Sequence, residues 1–260
     1  MATGEFPLTE RFLQGRLRHA MTDREMGILE DLVGEVRKTD GETVLIERGE
    51  FVEYSTILIE GYVVRHVGKD AERNIIGFQV PGDFVDLHGF ALKRLDHGLT
   101  AIGRTTIGIV PHEKLREVLA SEPHLTRLFW FSTLLDAAIH REWIAKMTDL
   151  RAVGRVAHLI AELWYRLRMV GLGNREGFQT PFTQVHLAQM CGLSTVHTNR
   201  SIRDLREGGV VEFRYGKVRI LDAERLKRLA LFEPSYLYGE GGLAVGHALD
   251  PGASERKPSG

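Results

Sequence analysis

Apolar and polar residues change their spacing several times along the chain. Residues 8–33 carry apolar positions at helical spacing, and Thr22-Asp23-Arg24-Glu25 has the pattern of a helix capping box. From Gly34 to about Val110 the pattern becomes a series of short β-type runs broken by glycine, aspartate and proline. These runs are Thr43–Ile46, Thr56–Val67, Ile75–Val80 and Thr105–Val110. Short strands at regular spacing predict a sandwich or a jelly-roll barrel.

Helical spacing returns after Pro111. We predict a short helix over residues 112–120, a long helix from Pro123 to about Met147, and a further helix over residues 150–170 that Asp149 caps. The long helix carries an apolar stripe at a/d-like spacing, formed by Leu128, Phe131, Leu135, Ala138 and Ala145. This stripe fits either an interface with a second copy of the chain or burial inside the helix's own domain.

Residues 183–221 predict a helix, a tight turn, a second helix and a hairpin. Thr183 and Ser194 stand where the N-caps of two helices belong, and Gly192 allows the positive φ that a corner between them often needs. Two short β-type runs separated by three turn residues follow the second helix. This order of elements is typical of a winged helix-turn-helix.

The second helix of this unit has an apolar face and a polar face. Thr198, Ile202 and Leu205 follow one another at i, i+4 and i+7 and predict a buried stripe. The opposite side carries Thr195, Val196, Asn199, Arg200, Arg203 and Arg206. Such a face suits the DNA major groove, where Arg pairs with guanine, Asn pairs with adenine, and Val contacts a thymine methyl. An ordinary amphipathic helix with a solvated basic face is the alternative interpretation of this helix alone.

Gly192-Leu193-Ser194, followed by Arg200, carries a family resemblance. The segment resembles the DNA-binding domain of the cyclic-AMP receptor protein / fumarate-nitrate regulator (Crp/Fnr) family, and the resemblance extends over about residues 8–235. It implies an α+β fold with an N-terminal β-roll (jelly-roll, cyclic-nucleotide-binding-like) domain, a long dimerisation helix and a C-terminal winged helix-turn-helix domain. The implied function is that of a sequence-specific transcriptional regulator that binds a near-palindromic site on double-stranded DNA as a homodimer.

The resemblance also suggests domain limits. We assign residues 1–122 to the β-roll domain, 123–148 to the dimerisation helix, 149–235 to the winged helix-turn-helix and 236–260 to a disordered tail. The tail is rich in glycine and proline and has no amphipathic pattern. Because members of the family dimerise through the long helix, the resemblance favours the dimer interpretation of its apolar stripe.

The DNA contacts follow position by position from the family pattern. It places base-reading residues at Thr195, Val196, Asn199 and Arg200. Val196 stands where many relatives have a glutamate that accepts from cytosine, so we expect the half-site to depart from the TGA-containing consensus at that step. Ser194 and His197 are additional candidates. Phosphate contacts are expected from Arg203, Arg206, Lys217 and Arg219.

A candidate ligand region lies in the roll, at Asp86, Leu87, His88 and His97. Cyclic-nucleotide-binding members supply a glutamate for the ribose and an arginine for the cyclic phosphate here, whereas this chain has no arginine between Asp96 and Thr100. An anionic ligand would lack its charge-assisted bonds and would be repelled by Asp86, so we do not expect cyclic AMP. The alternative function of the chain is that of a regulatory module that an unidentified small molecule in the roll controls. Such a module would bind DNA weakly when no ligand is bound.

No cofactor is expected. The iron–sulfur sensors of the family need several cysteines, and this chain has one, Cys191. Haem would need an axial ligand, for which His66, His88 and His97 are the candidates in the roll, but lone histidines are mostly ordinary surface or core residues. The 11 histidines form no recognisable zinc motif.

Charge is distributed unevenly over the 260 residues. Residues 149–231 contain 14 Lys/Arg and 8 Asp/Glu, whereas residues 1–148 contain 18 and 23. A basic half joined to an acidic half fits a nucleic-acid-binding domain attached to a sensing domain. No apolar run approaches the ~18 residues of a membrane span, and the N-terminus lacks a secretory signal, so we expect a cytoplasmic protein without membrane contact.

Two other classes of function fit the sequence less well. A metal-dependent cupin enzyme would need clustered His and Glu ligands in the barrel, and the sequence offers no such spacing, so we do not expect an enzyme. A cyclic-nucleotide-controlled module that regulates a partner protein would not need the basic winged helix. RNA polymerase is an expected partner, but no residue decides between an activator and a repressor, and the target genes and the effector stay open.

Overall fold

The N-terminal half is built on one antiparallel sheet of five strands. They are β1 (Glu35–Thr39), β2 (Glu42–Ile46), β3 (Tyr54–Val67), β4 (Asn74–Gln79) and β5 (Gly98–Pro111). The two long strands form the centre, because β1 and β2 both pair with β5 while β4 pairs with the second half of β3. The computed structural model describes residues 4–68 and 73–239 of the chain.

Glycines at two corners let this sheet curl into the expected roll. The register between β3 and β5 shifts on both sides of Glu60, and Gly61 follows with a φ of +88°. A Cβ on Gly61 would lie 2.5 Å from the carbonyl oxygen of Arg104, so only glycine fits this bend. Gly82, with a φ of +98°, turns the chain against the backbone of Arg11.

Short helices surround the roll, and one long helix leaves it. They are a 3₁₀ turn (Arg18–Ala20), α1 (Asp23–Asp31), α2 (Gly89–Leu92), α3 (His112–Ser121) and the 27-residue α4 (Pro123–Asp149). The predicted capping box is confirmed, since Thr22 and Glu25 cap each other's backbone groups at the start of α1. The rings of Phe12, Phe84 and Phe129 pack at centroid distances of 5.6–5.8 Å and fix α4 to the roll.

The C-terminal half surrounds α5 (Ala152–Met169). After α5 come β6 (Gly173–Asn174), β7 (Gly177–Gln179), α6 (Gln184–Cys191), α7 (Thr195–Glu207), β8 (Val211–Arg214), β9 (Lys217–Ile220), α8 (Ala223–Ala230) and a 3₁₀ turn (Pro234–Leu237). The four strands form an antiparallel sheet in the order β6-β7-β9-β8. Helix α5 contacts α6, α7 and α8 and supplies the centre of the core. The α+β fold with a C-terminal helix-turn-helix is therefore confirmed.

Two local predictions need correction. Asp149 does not cap α5: it is the last residue of α4, and α5 begins at Ala152 without a side-chain cap. Arg155 holds this junction instead, because its guanidinium donates to the carbonyls of Leu150 (2.9 Å) and Met147 (2.6 Å).

The expected start of the tail at residue 236 is also corrected. Leu237 is fully buried, and the Tyr236 hydroxyl donates to Glu162 at 2.9 Å, so the packed chain continues through these residues. The glycine-rich composition begins only at Gly239, and composition alone does not show where the packed chain ends. Residues 240–260, which make up the rest of the expected tail, lie outside the described residues.

The two halves pack directly on each other. Phe182, just before α6, sits between Tyr62 of β3 and Phe78 of β4, at ring distances of 5.0 and 6.3 Å. The Tyr62 hydroxyl donates to the carbonyl of Gln179 at 2.7 Å. The first helix of the helix-turn-helix therefore lies against β4 of the roll.

Candidate nucleic-acid interface

Capping interactions set the two helices of the DNA-binding unit. Thr183 Oγ1 accepts from the His186 backbone, and His186 Nδ1 accepts from the Thr183 backbone, which closes a reciprocal cap on α6. Gly192 ends α6 with a φ of +59°. Ser194 Oγ then accepts from the His197 backbone at 3.3 Å and begins α7. The predicted caps and corner are confirmed.

The apolar stripe of α7 faces the core, as predicted. Thr198 is fully buried, and Ile202 and Leu205 are 8% and 2% exposed. Ser201 is buried beside them, and its hydroxyl donates to the carbonyl of His197 at 2.9 Å. The helix is therefore held firmly on one side.

The other side of α7 is open to solvent. Its exposed residues are the N-cap Ser194 and, along the helix, Thr195, Val196, His197, Asn199, Arg200, Arg203, Asp204, Arg206 and Glu207. The apolar side chain of Val196 is 69% exposed among these polar neighbours. Short polar and apolar groups near the N-terminus of the helix and three arginines along its length form one surface, called here the reading face.

The hairpin β8–β9 projects beside α7 as a wing. Its tip contains Tyr215, which is fully exposed at a φ of +49°, and Gly216 at +74°. Sequence reasoning missed Arg214 and Tyr215 as candidate DNA contacts. The signal was available, because an aromatic residue at the tip of the two-residue turn Tyr215-Gly216 cannot reach the core.

The two predicted wing contacts, Lys217 and Arg219, lie on the outer face of the wing sheet. Between them Val218 points into the core and is 2% exposed. Both line a groove of about 730 Å³ that runs between the wing and the roll, with Arg104 on the opposite wall. Arg219 also forms an ion pair with Glu212 at 3.1 Å, so part of its charge is neutralised within the wing.

The apolar stripe predicted for dimerisation is mostly used inside the chain. Leu128, Leu135 and Ala138 are at most 6% exposed and pack against their own chain, and Phe131 is half-buried against the Tyr238 ring at 5.9 Å. Ala145 alone of the five is exposed. The expectation that these residues form a free surface is therefore wrong for Leu128, Leu135 and Ala138. Helix α4 is apolar around most of its circumference, so its sequence alone did not show which stripe the roll and α5 would cover.

A different stripe of α4 is open. Trp130, Leu134 and Ile144 are 68%, 55% and 68% exposed. Together with Ala137 and Arg141 between them, they follow spacings of four, three, four and three residues, which is a heptad pattern. We call this set the open stripe of α4.

Comparison with known proteins agrees with this geometry. The family model described as a Crp-like helix-turn-helix domain matches residues 154–229. Curated relatives and solved structures of the same kind extend the similarity over most of the chain. Residues 154–229 form a Crp-like helix-turn-helix domain, and the chain as a whole is similar to regulators of the Crp/Fnr family. It is a DNA-binding transcriptional regulator.

Individual relatives show how far the similarity extends. The nitrogen fixation regulation protein FixK of Bradyrhizobium diazoefficiens is 24% identical over 207 residues, which cover 79% of this chain and 86% of FixK. The transcriptional activator protein FnrL of Cereibacter sphaeroides is 24% identical over 248 residues, covering 93% of this chain and 95% of FnrL.

Two solved structures share the fold. That of FixK2 from Bradyrhizobium japonicum superposes with a TM-score of 0.68 at 19% identity, covering 75% of this chain and 96% of FixK2. A CRP/FNR-family transcriptional regulator from Thermus thermophilus gives a TM-score of 0.60 at 20% identity, covering 76% of this chain and 99% of the regulator.

The candidate ligand residues of the roll are engaged with neighbouring groups. Asp86 is fully buried and accepts from the Thr56 backbone at 2.5 Å, and burial raises the pKa of its carboxyl to about 7. Leu87 is half-buried and packs with an apolar cluster of the roll and α4. Burial, followed by the charge of Arg65, lowers the pKa of His88 to about 4.

His97 stands beside His88, with ring centroids 5.3 Å apart. Its Nδ1 bonds to Asp96 at 2.7 Å, whereas its buried Nε2 has no hydrogen-bond partner. Burial and Arg65 lower the pKa of His97 as well. The structure thus places the two histidine rings side by side.

An arginine that sequence reasoning overlooked lies next to them. Arg65 is 2% exposed, and its guanidinium donates to the carbonyl of Val85 at 2.9 Å and to Asp136 of α4 at 2.5 Å. A charged residue inside the apolar run Tyr62-Val63-Val64-Arg65 was the available signal. Burial of such a residue requires a partner carboxylate, and that carboxylate lies on another element.

Metal binding and membrane insertion each require particular features of the structure. Among residues 4–68 and 73–239, no three His, Cys, Asp or Glu side chains are grouped so that they could hold a metal ion. Cys191 is buried, and this burial raises the pKa of its thiol to about 11. In the same part of the chain, no helix combines the length and the apolar character that a membrane span requires.

Proposed function

We propose that this regulator binds a near-palindromic DNA site as a homodimer and does so without cyclic AMP. The observation that carries the proposal is the reading face: a set of exposed residues on one side of a helix whose other side is firmly packed. Asn199 and Arg200 supply side chains that pair with adenine and guanine in the major groove. The arginines further along the helix, Arg203 and Arg206, reach the phosphates.

The open stripe of α4 supports the homodimer. Trp130, Leu134 and Ile144 leave a heptad-spaced apolar surface without a partner in its own chain, and a second copy of the same helix is complementary to it about a twofold axis. The same axis would bring two reading faces onto one side of a duplex, about 34 Å apart, and would require a near-palindromic sequence.

Independence of cyclic AMP is supported by the engaged groups in the roll. The Asp86 carboxyl group already accepts a hydrogen bond from the Thr56 backbone. Arg65 lies nearest to the candidate ligand region among the cations, and it is paired with Asp136. A cyclic phosphate entering this region would have to compete with a buried carboxylate for that guanidinium. We propose that the Arg65–Asp136 pair joins the roll to α4 in the absence of a ligand.

The half-site should differ from that of typical relatives at one step. Val196 replaces the glutamate that many relatives carry, and a valine accepts no hydrogen bond from cytosine. Its exposed methyl groups favour a thymine at that step. We also propose RNA polymerase as a partner, because the relatives FnrL and FnrA are named transcriptional activators. The proposed location of the protein is the cytoplasm.

A subunit-mixing experiment tests binding as a homodimer. The full chain and a copy with a fused small domain are mixed, allowed to exchange subunits, and run with a labelled duplex carrying the selected site in a gel-shift assay. A homodimer on DNA gives one new band midway between those of the two pure forms. A mixture that gives only the two pure bands after full exchange, or whose mobilities fit a single copy, contradicts the proposal.

A further inference from the structure

A buried arginine joins the DNA-binding half to the roll. Arg166 of α5 is 2% exposed, and its guanidinium donates to the Asp83 carboxylate at 2.6 Å and to the Glu162 carboxylate at 3.3 Å. It also lies 4.5 Å from the centre of the Phe78 ring in β4. One side chain of the DNA-binding half therefore contacts two points of the roll and one point of its own helix.

Glu162 carries the connection on to α4 and to the C-terminal turn. It is fully buried, and it accepts from Trp143 Nε1 of α4 at 3.0 Å and from the Tyr236 hydroxyl at 2.9 Å. Lys146 of α4 is buried next to this group, with its ammonium 3.7 Å from the centre of the Trp143 ring. Burial lowers the pKa of the Lys146 ammonium, and the negative charge of Glu162 acts against that shift.

On the roll side, Asp83 continues the chain of contacts. It accepts from the Val80 backbone at 2.9 Å. With the Gln79 amide oriented so that both of its ends are satisfied, the Gln79 nitrogen donates to Asp83 at 3.0 Å and its oxygen accepts from Arg65 at 3.2 Å. Arg65 in turn reaches Asp136 on α4. The contacts thus form a closed circuit that begins and ends on α4.

Hydrophobic packing alone would fix the angle between α5 and the roll less sharply than this circuit of contacts does. Buried ion pairs contribute little net stability compared with apolar residues, but breaking one leaves an uncompensated charge. Any rotation of α5 relative to the roll would separate Arg166 from Asp83 or Glu162 from Trp143. The circuit therefore selects one orientation of the reading face among those that packing would tolerate.

We propose that Arg166 is a positioning residue for DNA binding: through Asp83 and Glu162 it sets the orientation of the reading face relative to α4. This inference rests on the proposed function, because orientation matters only when two reading faces must fit one duplex. A single reading face on a half-site needs no such orientation. Arg166 therefore determines how much more tightly the protein binds a full site than a half-site.

The test measures binding of the full-length protein to two duplexes by fluorescence anisotropy. One duplex carries the selected full site, and the other has one half-site scrambled. For Arg166→Met we expect roughly tenfold or greater loss of affinity for the full site, with affinity for the half-site changed by less than about twofold. Arg166→Lys should lie in between, because lysine cannot contact both carboxylates at once with fixed geometry.

Two matched variants make the result specific. Arg168→Met removes an exposed arginine further along the same helix and should bind both duplexes like the wild type. Asp83→Asn should reproduce the loss seen for Arg166→Met, and the double variant should lose no more than either single variant, since both break one contact. If Arg166→Met does not fold, Asp83→Asn and Arg166→Lys carry the same comparison.

The outcomes separate this inference from the proposed function. Equal loss on both duplexes with intact cooperative unfolding, or no loss on either, overturns the positioning role. A wild-type protein that shows no preference for the full site contradicts the proposed homodimeric function itself. A selective loss on the full site for both Arg166→Met and Asp83→Asn supports the inference.

Discussion

Leu134 and Leu135 are neighbours on α4 but face opposite environments: Leu135 is 6% exposed against its own chain, whereas Leu134 is 55% exposed. One step along a helix rotates the side chain by about 100°, so adjacent residues belong to different faces. The buried leucine anchors α4 to the roll, and the exposed leucine is available to a second copy.

The first prediction concerns this exposed leucine. Leu134→Lys should turn the proposed dimer into a monomer, because twofold symmetry places two lysines in an apolar interface, at a cost of about 3 kcal/mol or a hundredfold in the dimer Kd. Sedimentation equilibrium measures this directly. Val44→Lys, a change at an apolar residue of similar exposure on β2, is the control and should leave the oligomeric state unchanged. A Leu134→Lys variant as dimeric as the wild type would show that the open stripe is not the interface.

The second prediction concerns the base step that Val196 faces. Val196→Glu should change the preferred base pair at one position of each half-site toward one that presents a cytosine amino group, with discrimination of about 1–3 kcal/mol. Val196→Ala, which removes methyl contacts without adding an acceptor, should weaken the original preference and create no new one. Competition with duplexes changed at single positions checks this. Identical preferences for wild type and Val196→Glu would place Val196 away from the bases.

The third prediction separates base contacts from phosphate contacts on the reading face. Arg200→Ala should cost about 1–3 kcal/mol on the selected site and relax specificity at one base pair. Arg206→Ala should weaken all duplexes nearly equally and lower the slope of log K against log salt by about one. Salt titrations on specific and unrelated duplexes distinguish the two patterns. The assignment fails if the two variants behave alike.

The fourth prediction is a pH dependence at Asp86. Its pKa of about 7 in the folded protein lies above the ordinary value of 3.8, so the folded state holds a proton that the unfolded chain has released. Ionisation therefore weakens the fold as the pH rises from about 4 to 7. Asp86→Asn keeps an acceptor for the Thr56 backbone and removes this cost.

The free energy of unfolding of Asp86→Asn, relative to wild type, should therefore increase between pH 4 and pH 7, by on the order of 4 kcal/mol at most. Denaturant titrations at several pH values measure the difference. Asp96→Asn is the control, because the Asp96 carboxyl is exposed and its pKa is lowered by His97. A flat difference for Asp86→Asn would mean that Asp86 is ionised in the fold throughout this range.

The sequence predicted the elements whose signals are local. The caps at Thr183 and Ser194, the corner at Gly192 and the buried stripe of α7 depend on residues within one or two turns of each other, and all are confirmed. Spacing of short strands was enough to predict the roll. The family resemblance added the order of the domains.

The sequence did not reveal the contacts between segments that are distant in the chain. The choice between stripes on α4 depends on what the roll and α5 cover, and the partner of Arg65 lies 71 residues away. The circuit through Arg166 likewise joins three elements that are separate in the chain. Asp149 resembled a cap, but the junction is held by Arg155 from the following helix. Such pairings depend on tertiary packing, which spacing in one segment does not encode.

Selection of binding sites from a pool of random duplexes tests the central claim most directly. Purified full-length protein, with no ligand added, is incubated with the pool at moderate salt, and the retained duplexes are sequenced over several rounds. We predict an inverted repeat whose half-sites are centred about 10 base pairs apart, with a departure from the family consensus at the step facing Val196. Weak, salt-sensitive retention without a common sequence would contradict a regulator that binds its site unliganded.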